Sequence, residues 1–296
     1  MRTVLKWIGI LLVGLLALVV VALVAVYLIT EQRLNQVYDI APEMVPITQD
    51  VGSEDRKFPE VLITFCRECH GQNLAGQVLE DDPMVGRLVA PNLTSGKGGI
   101  GANYTDEDWV RALRHGVGQD GKSLIVMPSN IFYNFSDEDL GYVIAAIKNA
   151  PPVDNELPET RLGPGARFFI LQEPFLLTAS IIDHTGPRPE APTPGLNVEY
   201  GKYLSIACVD CHGEDYAGGD QVGAGLNLTR GGELADWTED DFIQTLRTGV
   251  APDGKKLDIE NMPTRVFGKF SDLELKAIFL YIQSLPAVET PPEPQS

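Results

Sequence analysis

The sequence predicts an all-α protein in which two tandem helical domains follow a single apolar helix at the N-terminus. Three observations lead to this prediction. The first is an uninterrupted apolar run near the start of the chain. The second is an internal repeat of about 135 to 140 residues. The third is that both copies show the same order of helix start and stop signals, and no hairpin signal or alternating strand pattern competes with them.

These patterns divide the chain into consecutive segments. In chain order we expect a transmembrane anchor (1–30), a tether (31–54), a first helical domain (55–150), a proline-rich connecting strap (151–195), a second helical domain (196–286) and a loose tail (287–296). Proline residues set several of these bounds, because proline removes an amide donor and ends a helix.

The apolar run extends from Trp7 to Ile29 without a charge. Its length of about two dozen residues is enough to span a bilayer as a helix. Arg2 and Lys6 precede the run and Glu31 follows it, so the positive-inside rule places the N-terminus in the cytoplasm and the rest of the chain on the periplasmic side. A cleaved signal peptide is the alternative, but its apolar core would be shorter and would end at a small-x-small site. We therefore expect an uncleaved, single-pass anchor.

The middle helices of the two copies share one start signal, a hydroxyl residue followed by acids that bind the free N–H groups and favour the positive end of the helix dipole. The predicted N-cap residues are Thr105 and Thr238, and the last helix of each copy is expected to start at Ser136 or Ser271. Each middle helix should end at a glycine in the left-handed conformation, Gly116 or Gly249. Each copy is thus predicted to contain a leading helix, a middle helix and a closing helix.

All four cysteines fall into two motifs, residues 66–70 and 208–212, that both read C-x-x-C-H, the attachment signature of c-type haem. Two thiols one helical turn apart can each bond one vinyl group of a porphyrin, and the next residue offers an imidazole to the iron. Zinc would leave the repeated histidine unexplained, and a thioredoxin-like redox pair would need only one copy. We expect two covalently bound haem c groups. The expected attachment residues are Cys66, Cys69, Cys208 and Cys211, and the expected proximal ligands are His70 and His212.

Each iron needs a sixth ligand, and the repeat offers a matched pair of methionines. Met127 and Met262 both precede a proline ahead of the closing helix, whereas the other methionines have no partner in the repeat. A thioether is a soft ligand that stabilises ferrous iron and raises the redox potential. Methionines that only fill a core are the alternative, but the matched Met-Pro position favours ligation.

The order of these signals resembles the class I cytochrome c family. In each copy a helix leads into C-x-x-C-H, a loop with Asn-Leu-Thr follows, and a methionine precedes the closing helix. The resemblance covers about residues 55–150 and 196–286. It implies that the proline carbonyl of the loop accepts a hydrogen bond from the proximal imidazole and fixes the ring. The loop residues it assigns to the haem pockets are Pro91, Asn92, Leu93, Asn227 and Leu228, with Leu226 in place of the proline.

The whole array is similar to multihaem cytochrome c subunits that accept electrons from extracytoplasmic dehydrogenases. The phrases Asn-Leu-Thr, Leu-Arg-x-Gly-Val and Asp-Gly-Lys are typical of that group, and each occurs in both copies. We expect a membrane-anchored dihaem cytochrome that relays single electrons from a dehydrogenase or a quinol-oxidising complex to a soluble carrier or a terminal oxidase. A dihaem peroxidase or another small-molecule oxidoreductase is the enzymatic alternative, and it needs an iron with an open or displaceable ligand.

The net charge is −18, from 41 acidic and 23 basic residues. This balance argues against nucleic-acid binding, which rests on Lys and Arg at phosphates. It either steers a basic redox partner by long-range attraction or only keeps the protein soluble.

A few residues leave two interpretations open. Arg114 and Arg247 are matched, and they either neutralise a haem propionate or pair with helix acids. His115 and His184 are either spare iron ligands or satisfied histidines. The apolar part of the connection, residues 167–183, is either a strap packed on the domains or a docking or membrane-surface patch.

Overall fold

The computed structural model describes residues 2–49, 56–173, 176–218, 225–259 and 261–290, and most of their regular structure is helical, as predicted. The helices are α1 (Arg2–Leu34), α2 (Phe58–His70), α3 (Asp106–His115), α4 (Ser129–Phe132), α5 (Asp137–Lys148), α6 (Pro164–Gln172), α7 (Val198–Leu204), α8 (Val209–His212), α9 (Glu239–Thr248), α10 (Thr264–Phe267) and α11 (Asp272–Ser284). The strands are β1 (Gln77–Asp82), β2 (Gly86–Ala90) and β3 (Arg161–Leu162). The predicted boundary between tether and first domain and the last residues of the tail lie outside the described residues.

The predicted start signals all cap helices. The hydroxyls of the N-cap residues accept the N–H three residues further on, in α3, α5, α9 and α11. In α3, α9 and α11 the acid at that third position also accepts the N-cap N–H, which completes a capping box. Gly116 and Gly249 end α3 and α9 with φ of 64° and 71°. Only glycine adopts this left-handed conformation without cost, so both stop predictions are confirmed.

A small sheet forms where no strand was expected, so that part of the prediction was wrong. β1 pairs antiparallel with β2, and β2 with β3. The exposed Asp82 begins the turn between β1 and β2, because its Oδ1 accepts the N–H groups of Met84 at 2.7 Å and Val85 at 3.1 Å. Every residue of β1 is exposed. A strand without a buried face needs no alternating pattern, so the sequence carried no period-two signal.

The chain forms two compact units, each assembled from three segments. The first contains Met1–Glu43, Cys69–Asn130 and Pro151–Thr185, and the second contains Met44–Glu68, Ile131–Ala150 and Gly186–Ser296. The closing helix of the first repeat, α5, and most of α2 therefore cluster with the second half of the chain. The bounds of two tandem domains stay a prediction.

Helices α7 and α11 cross in close contact within the second unit. Gly201 of α7 lies at this crossing, where a Cβ atom would be only 1.9 Å from the carbonyl oxygen of Ala277. The two helices can approach this closely only because the position has no side chain. Tyr200, Leu204 and Leu275 are buried on either side of the contact.

An aromatic cluster joins elements of both repeats within the second unit. The ring of Phe58 lies 5.0 Å from Phe135, 5.4 Å from Tyr203 and 5.9 Å from Phe270, measured between centroids. The side chains of Phe58, Phe135 and Phe270 are each less than 3% exposed. Edge-to-face and offset pairs of this kind stabilise a core beyond the area that they bury.

Two buried carboxylates flank the aromatic cluster. Asp139 accepts the hydroxyl of Tyr203 at 2.5 Å and pairs with Arg56 at 2.5 Å. Glu274 accepts the backbone N–H of Phe58 at 2.9 Å and the hydroxyl of Tyr200 at 3.2 Å. Burial raises the pKa of both carboxyls, although their donors oppose that shift. Asp139 lies in the first turn of the closing helix of the first repeat and binds Tyr203 in the leading helix of the second. Glu274 lies in the first turn of the closing helix of the second repeat and binds Phe58 in the leading helix of the first.

Replacing Tyr203 tests this network. In Tyr203→Phe the carboxylate of Asp139 loses a donor and the N–H of Ser136, which bonds the same hydroxyl at 2.9 Å, loses its acceptor. A buried polar group left without a partner costs about 1–3 kcal/mol. We expect the free energy of unfolding in urea to fall by that amount. The control Tyr142→Phe, on the partly exposed face of α5, should change it little, and equal losses in the two variants would contradict the assignment.

Candidate haem sites

A cavity in the second unit brings together predicted residues from distant parts of the sequence. Cys208, Cys211, His212 and Met262 all line it, and so does Leu228. It encloses about 1090 Å³ of space between atoms, the open solvent at its mouth included. Its other walls are mainly aliphatic and aromatic side chains of α9, α10 and α11 and the loops before them. A largely apolar cavity with a few convergent ligands has the chemistry of a cofactor pocket.

A backbone carbonyl fixes the orientation of His212. The ring Nδ1 bonds the carbonyl oxygen of Leu226 at 2.7 Å, which leaves Nε2 free on the other side of the ring. Burial lowers the pKa of His212, so the ring is neutral and can act as a ligand. A Cβ atom at Gly225 would lie 2.5 Å from ring atoms of His212, so the loop backbone lies directly against the imidazole. The carbonyl of Leu226 therefore takes the role that the resemblance to class I cytochromes c gives to the proline carbonyl of the loop.

The first motif has the same local arrangement. The Nδ1 of His70 bonds the carbonyl oxygen of Pro91 at 2.8 Å, and burial lowers the pKa of this ring as well. Cys66 is buried on α2 with its Sγ 3.4 Å from the carbonyl oxygen of Leu62, whereas Cys69 is exposed. Helix α2 thus carries the thiols and the imidazole on its last turn.

The predicted pocket asparagines clamp the loop that bears these carbonyls. The side-chain amide of Asn92 donates to the carbonyl oxygen of Val153 at 2.8 Å, and that of Asn227 donates to the carbonyl oxygen of Val288 at 2.7 Å. Each Oδ1 accepts the N–H two residues on at 2.9 Å. The asparagines therefore tie the loop to the segment after the closing helix.

The two valine carbonyls are functional positions that the sequence analysis missed. Val153 and Val288 each follow a proline by two positions, at Pro151 and Pro286, directly after the closing helices. This matched Pro-x-Val spacing was the sequence signal that could have identified the two valines. The loop leucines are also held through the backbone: the N–H of Leu93 donates to the carbonyl of Leu74 at 2.9 Å, and Leu228 makes the equivalent bond at 2.8 Å.

The first methionine loop is held by the connecting strap. The carbonyl of Met127 accepts the hydroxyl of Thr178 at 3.0 Å, and the N–H of Val126 donates to the carbonyl of Leu176 at 2.9 Å. Val126 has a φ of 64°. This conformation is strained for a β-branched residue and costs on the order of 1–3 kcal/mol. The bonds to the strap stabilise that conformation beside the predicted ligand.

The matched arginines pair with acids. Arg247 forms an ion pair at 2.9 Å with Asp272 in the first turn of α11. Arg114 is only 2% exposed and pairs with Glu43 of the tether at 2.7 Å. These contacts favour the ion-pair interpretation over a role at a haem propionate.

His115 and His184 are satisfied within the first unit. Their Nδ1 atoms lie 3.1 Å apart, and the Nε2 of His115 is 3.4 Å from a carboxylate oxygen of Glu43. The Nε2 of His184 donates to the carbonyl of Ala179 at 2.9 Å. Each ring nitrogen thus faces a polar protein atom, which favours the structural role of these histidines.

Comparisons with known proteins point to the same chemistry. Residues 200–282 match the family model described as Cytochrome C oxidase, cbb3-type, subunit III. Over 281 residues the chain is 29% identical to the fructose dehydrogenase cytochrome subunit of Gluconobacter japonicus, covering 83% of this chain and 55% of that protein. The chain is thus similar to part of a dehydrogenase cytochrome subunit, and covalently bound haem c is the group expected at these motifs.

Two further relatives extend this result. The alcohol dehydrogenase (quinone) cytochrome c subunit of Gluconobacter oxydans (strain 621H) is 29% identical over 269 residues, 76% of this chain and 53% of that protein. The Cbb3-type cytochrome c oxidase subunit CcoP of Helicobacter pylori (strain 52) is 34% identical over 96 residues, 31% of this chain and 29% of that protein. The chain spans about half the length of the two dehydrogenase subunits, and the matches support a c-type cytochrome that takes part in electron transfer.

The donor set fits haem better than a bare metal ion. In the second unit two thiols, a neutral imidazole and a thioether surround an apolar space. Among the residues that the structure describes, no group of three or more His, Cys, Asp and Glu side chains is arranged to hold a metal ion.

The buried histidine pair predicts a pH effect on stability. Burial lowers the pKa of His115 below its ordinary value of 6.5, against the opposing bond to Glu43. Below about pH 6.5 the unfolded chain binds a proton that the folded ring resists, so the folded state loses stability as pH falls. The variant His115→Gln should not lose stability in this way as pH falls. The unfolding free energy of the wild type should therefore fall relative to the variant, on the order of 1 kcal/mol, between about pH 7.5 and 5.5.

A surface variant provides the control for this measurement. Lys97→Gln removes an exposed ion pair with Glu156 and leaves the histidine cluster intact. Its unfolding free energy should run parallel to that of the wild type across the same pH range. If His115→Gln also ran parallel, the histidine would not titrate differently in the folded state.

Proposed function

We propose that this chain is a membrane-anchored dihaem c-type cytochrome that relays single electrons. The observation that carries the proposal is the cavity in which Cys208, Cys211, His212 and Met262 converge, with the same motif and the same imidazole–carbonyl bond in the first repeat. Haem c, when bound, supplies the one-electron chemistry. The protein holds it, sets its ligands and excludes water from it.

The chain's own residues have separable roles in this proposal. The paired cysteines would attach the two haems, His70 and His212 would offer Nε2 to the iron, and Met127 and Met262 would offer their thioethers to it. The loop carbonyls fix the imidazoles and increase their basicity, a support that tunes metal sites. Apolar walls and thioether ligation both favour ferrous iron and raise the potential.

Helix α1 supports the membrane anchor. It is the one helix among the described residues that is long and apolar enough to cross a membrane, with a mean hydropathy of 3.2 in its most apolar stretch. That stretch is wholly exposed, as expected for a helix whose surroundings are lipid. Together with the charges at its ends, this supports an inside N-terminus and haem domains on the periplasmic side.

Within the second unit, polar contacts join α2 to the segment that follows Met262. Glu68, inside the first C-x-x-C-H motif, accepts a hydrogen bond at 2.7 Å from the Nε of Arg265 in α10. One turn earlier on α2, Thr64 lies 3.4 Å from the Nζ of Lys269. The part of the first motif on α2 is thus held against α10, close in sequence to the proposed ligand Met262.

The relatives favour a dehydrogenase as electron donor. The two dehydrogenase cytochrome subunits align with about three quarters or more of this chain, whereas the oxidase subunit aligns with 31% of it. We therefore propose an extracytoplasmic dehydrogenase as donor, in preference to a quinol-oxidising complex. A soluble carrier or a terminal oxidase is the proposed acceptor.

The haem count and the redox stoichiometry test the proposal. Denatured protein from membranes should keep two haems by mass, and Cys208→Ala with Cys211→Ala should keep one, because thioether bonds survive denaturation. Reductive titration should show two one-electron steps, and hydrogen peroxide should not be turned over. A single haem in the wild type would contradict the dihaem proposal, and rapid peroxide turnover would favour the peroxidase alternative.

The methionines give a separate prediction. Met262→Leu should remove about half of the weak red charge-transfer band that methionine-ligated ferric haem shows, and Met127→Leu should remove the other half. Each change should lower the potential of one haem, because a soft ligand that favours ferrous iron is lost. Met84→Leu is the control, since Met84 is 61% exposed. A single variant that kept the full band and both potentials would show that its methionine is not a ligand.

A further inference from the structure

Helix α6 of the connecting strap is fastened to the end of α1. Arg167 donates from Nη1 to Thr30 at 3.2 Å and to Glu31 at 3.0 Å, and its guanidinium lies 4.4 Å over the ring of Tyr27. In the opposite direction, the Nη1 of Arg33 donates to the carbonyl oxygen of Ile170 at 2.9 Å. Thr30 is fully buried in this contact, although the rest of α1 is largely exposed.

These contacts fix the depth of α6 relative to the apolar run. Tyr27, Thr30 and Arg33 all lie within four residues of Ile29, the last residue of that run. At about 1.5 Å per residue, the contacts lie within about 6 Å of the end of the run along the helix axis. A bilayer spanned by α1 would have its boundary at this level, where aromatic side chains concentrate.

The other face of α6 presents two large apolar side chains to the outside. Phe168 is 50% exposed and Phe169 is 53% exposed, whereas the next residue, Ile170, is 2% exposed. Their exposure matches that of lipid-facing positions on α1 such as Leu23, which is 56% exposed. The exposed phenylalanines thus lie on a helix that is bonded to α1 at the end of its apolar run.

We propose that α6 is a second membrane contact, with Phe168 and Phe169 inserted into the lipid interface on the periplasmic side. This inference rests on the proposed membrane anchor. A short helix with aromatic side chains on one face and an arginine held at its base has the composition of an interfacial element. The position of α6 favours lipid as the partner of these phenylalanines, because α1 leaves the apolar phase of the bilayer at the point where α6 is bonded to it.

The contact also explains how the strap positions the first site. The chain leaving α6 continues to Leu176 and Thr178, which bond the backbone of Val126 and Met127. α6 also packs on β2 and β3. A helix held at the lipid surface by two phenylalanines and by α1 therefore restrains the first methionine loop at a set height above the membrane.

Photo-cross-linking in the full-length holoprotein tests the proposal. The photo-reactive p-benzoyl-phenylalanine replaces Phe168 or Phe169 in protein reconstituted into phosphatidylcholine–phosphatidylglycerol vesicles. Leu23 is the positive control, and Ile181, 47% exposed in the same connection, is the matched control outside α6. After irradiation, lipid adducts at 168 and 169 should exceed those at 181 by at least about fivefold.

The outcomes separate this inference from the anchor on which it rests. Lipid adducts at Leu23 without adducts at 168 and 169 would overturn the inference and leave the anchor in place. Cross-links from 168 or 169 to a second protein chain in place of lipid would overturn it too. Release of the whole chain from vesicles by alkaline carbonate would instead contradict the anchor.

A second measurement avoids the bulky photo-residue. The fluorescence of Phe169→Trp should fall when the lipid acyl chains carry bromine, relative to Ile181→Trp, which has the same tryptophan content. Equal quenching of the two variants would count against a contact specific to α6. Retention of both haems in each variant, measured by mass, shows that the fold is intact.

Discussion

The hydrogen bond between an imidazole Nδ1 and a loop carbonyl is the contact on which each candidate site depends. It fixes the rotation of the ring and decides which nitrogen is free to bind iron. The carbonyl can do this only if its loop is held, and the asparagine clamp holds it against the segment after the closing helix. A chain of hydrogen bonds therefore runs from the segment after the closing helix to the motif histidine, with equivalent positions in both repeats.

The two repeats differ where the strap intervenes. In the first, Leu176 and Thr178 bond the methionine loop and stabilise the strained Val126. In the second, Met262 is held by its own segment, through an N–H that donates to the carbonyl of Asp258 at 2.7 Å. The two matched methionines are therefore restrained unequally, the first by the strap and the second by its own segment.

The buried acids Asp139 and Glu274 connect the repeats inside the second unit. Burying a carboxylate is costly unless donors surround it, and each of these has donors from both repeats. This requirement is specific, because a shifted helix would leave a carboxylate without partners. It keeps the leading helix of the first repeat, which carries Glu68, against α10 of the second, which carries Arg265.

The sequence by itself determined the features that depend on neighbours a few residues apart. Helix caps, left-handed glycines and the C-x-x-C-H chemistry all involve bonds spanning one turn, so a spacing in the sequence encodes them. The tertiary structure alone decided the exposed sheet, the pairing of His115 with His184 and the bond between Tyr203 and Asp139. The partners in those last two contacts are 69 and 64 residues apart. No local period marks such partners, because the fold brings them together only after the helices have packed.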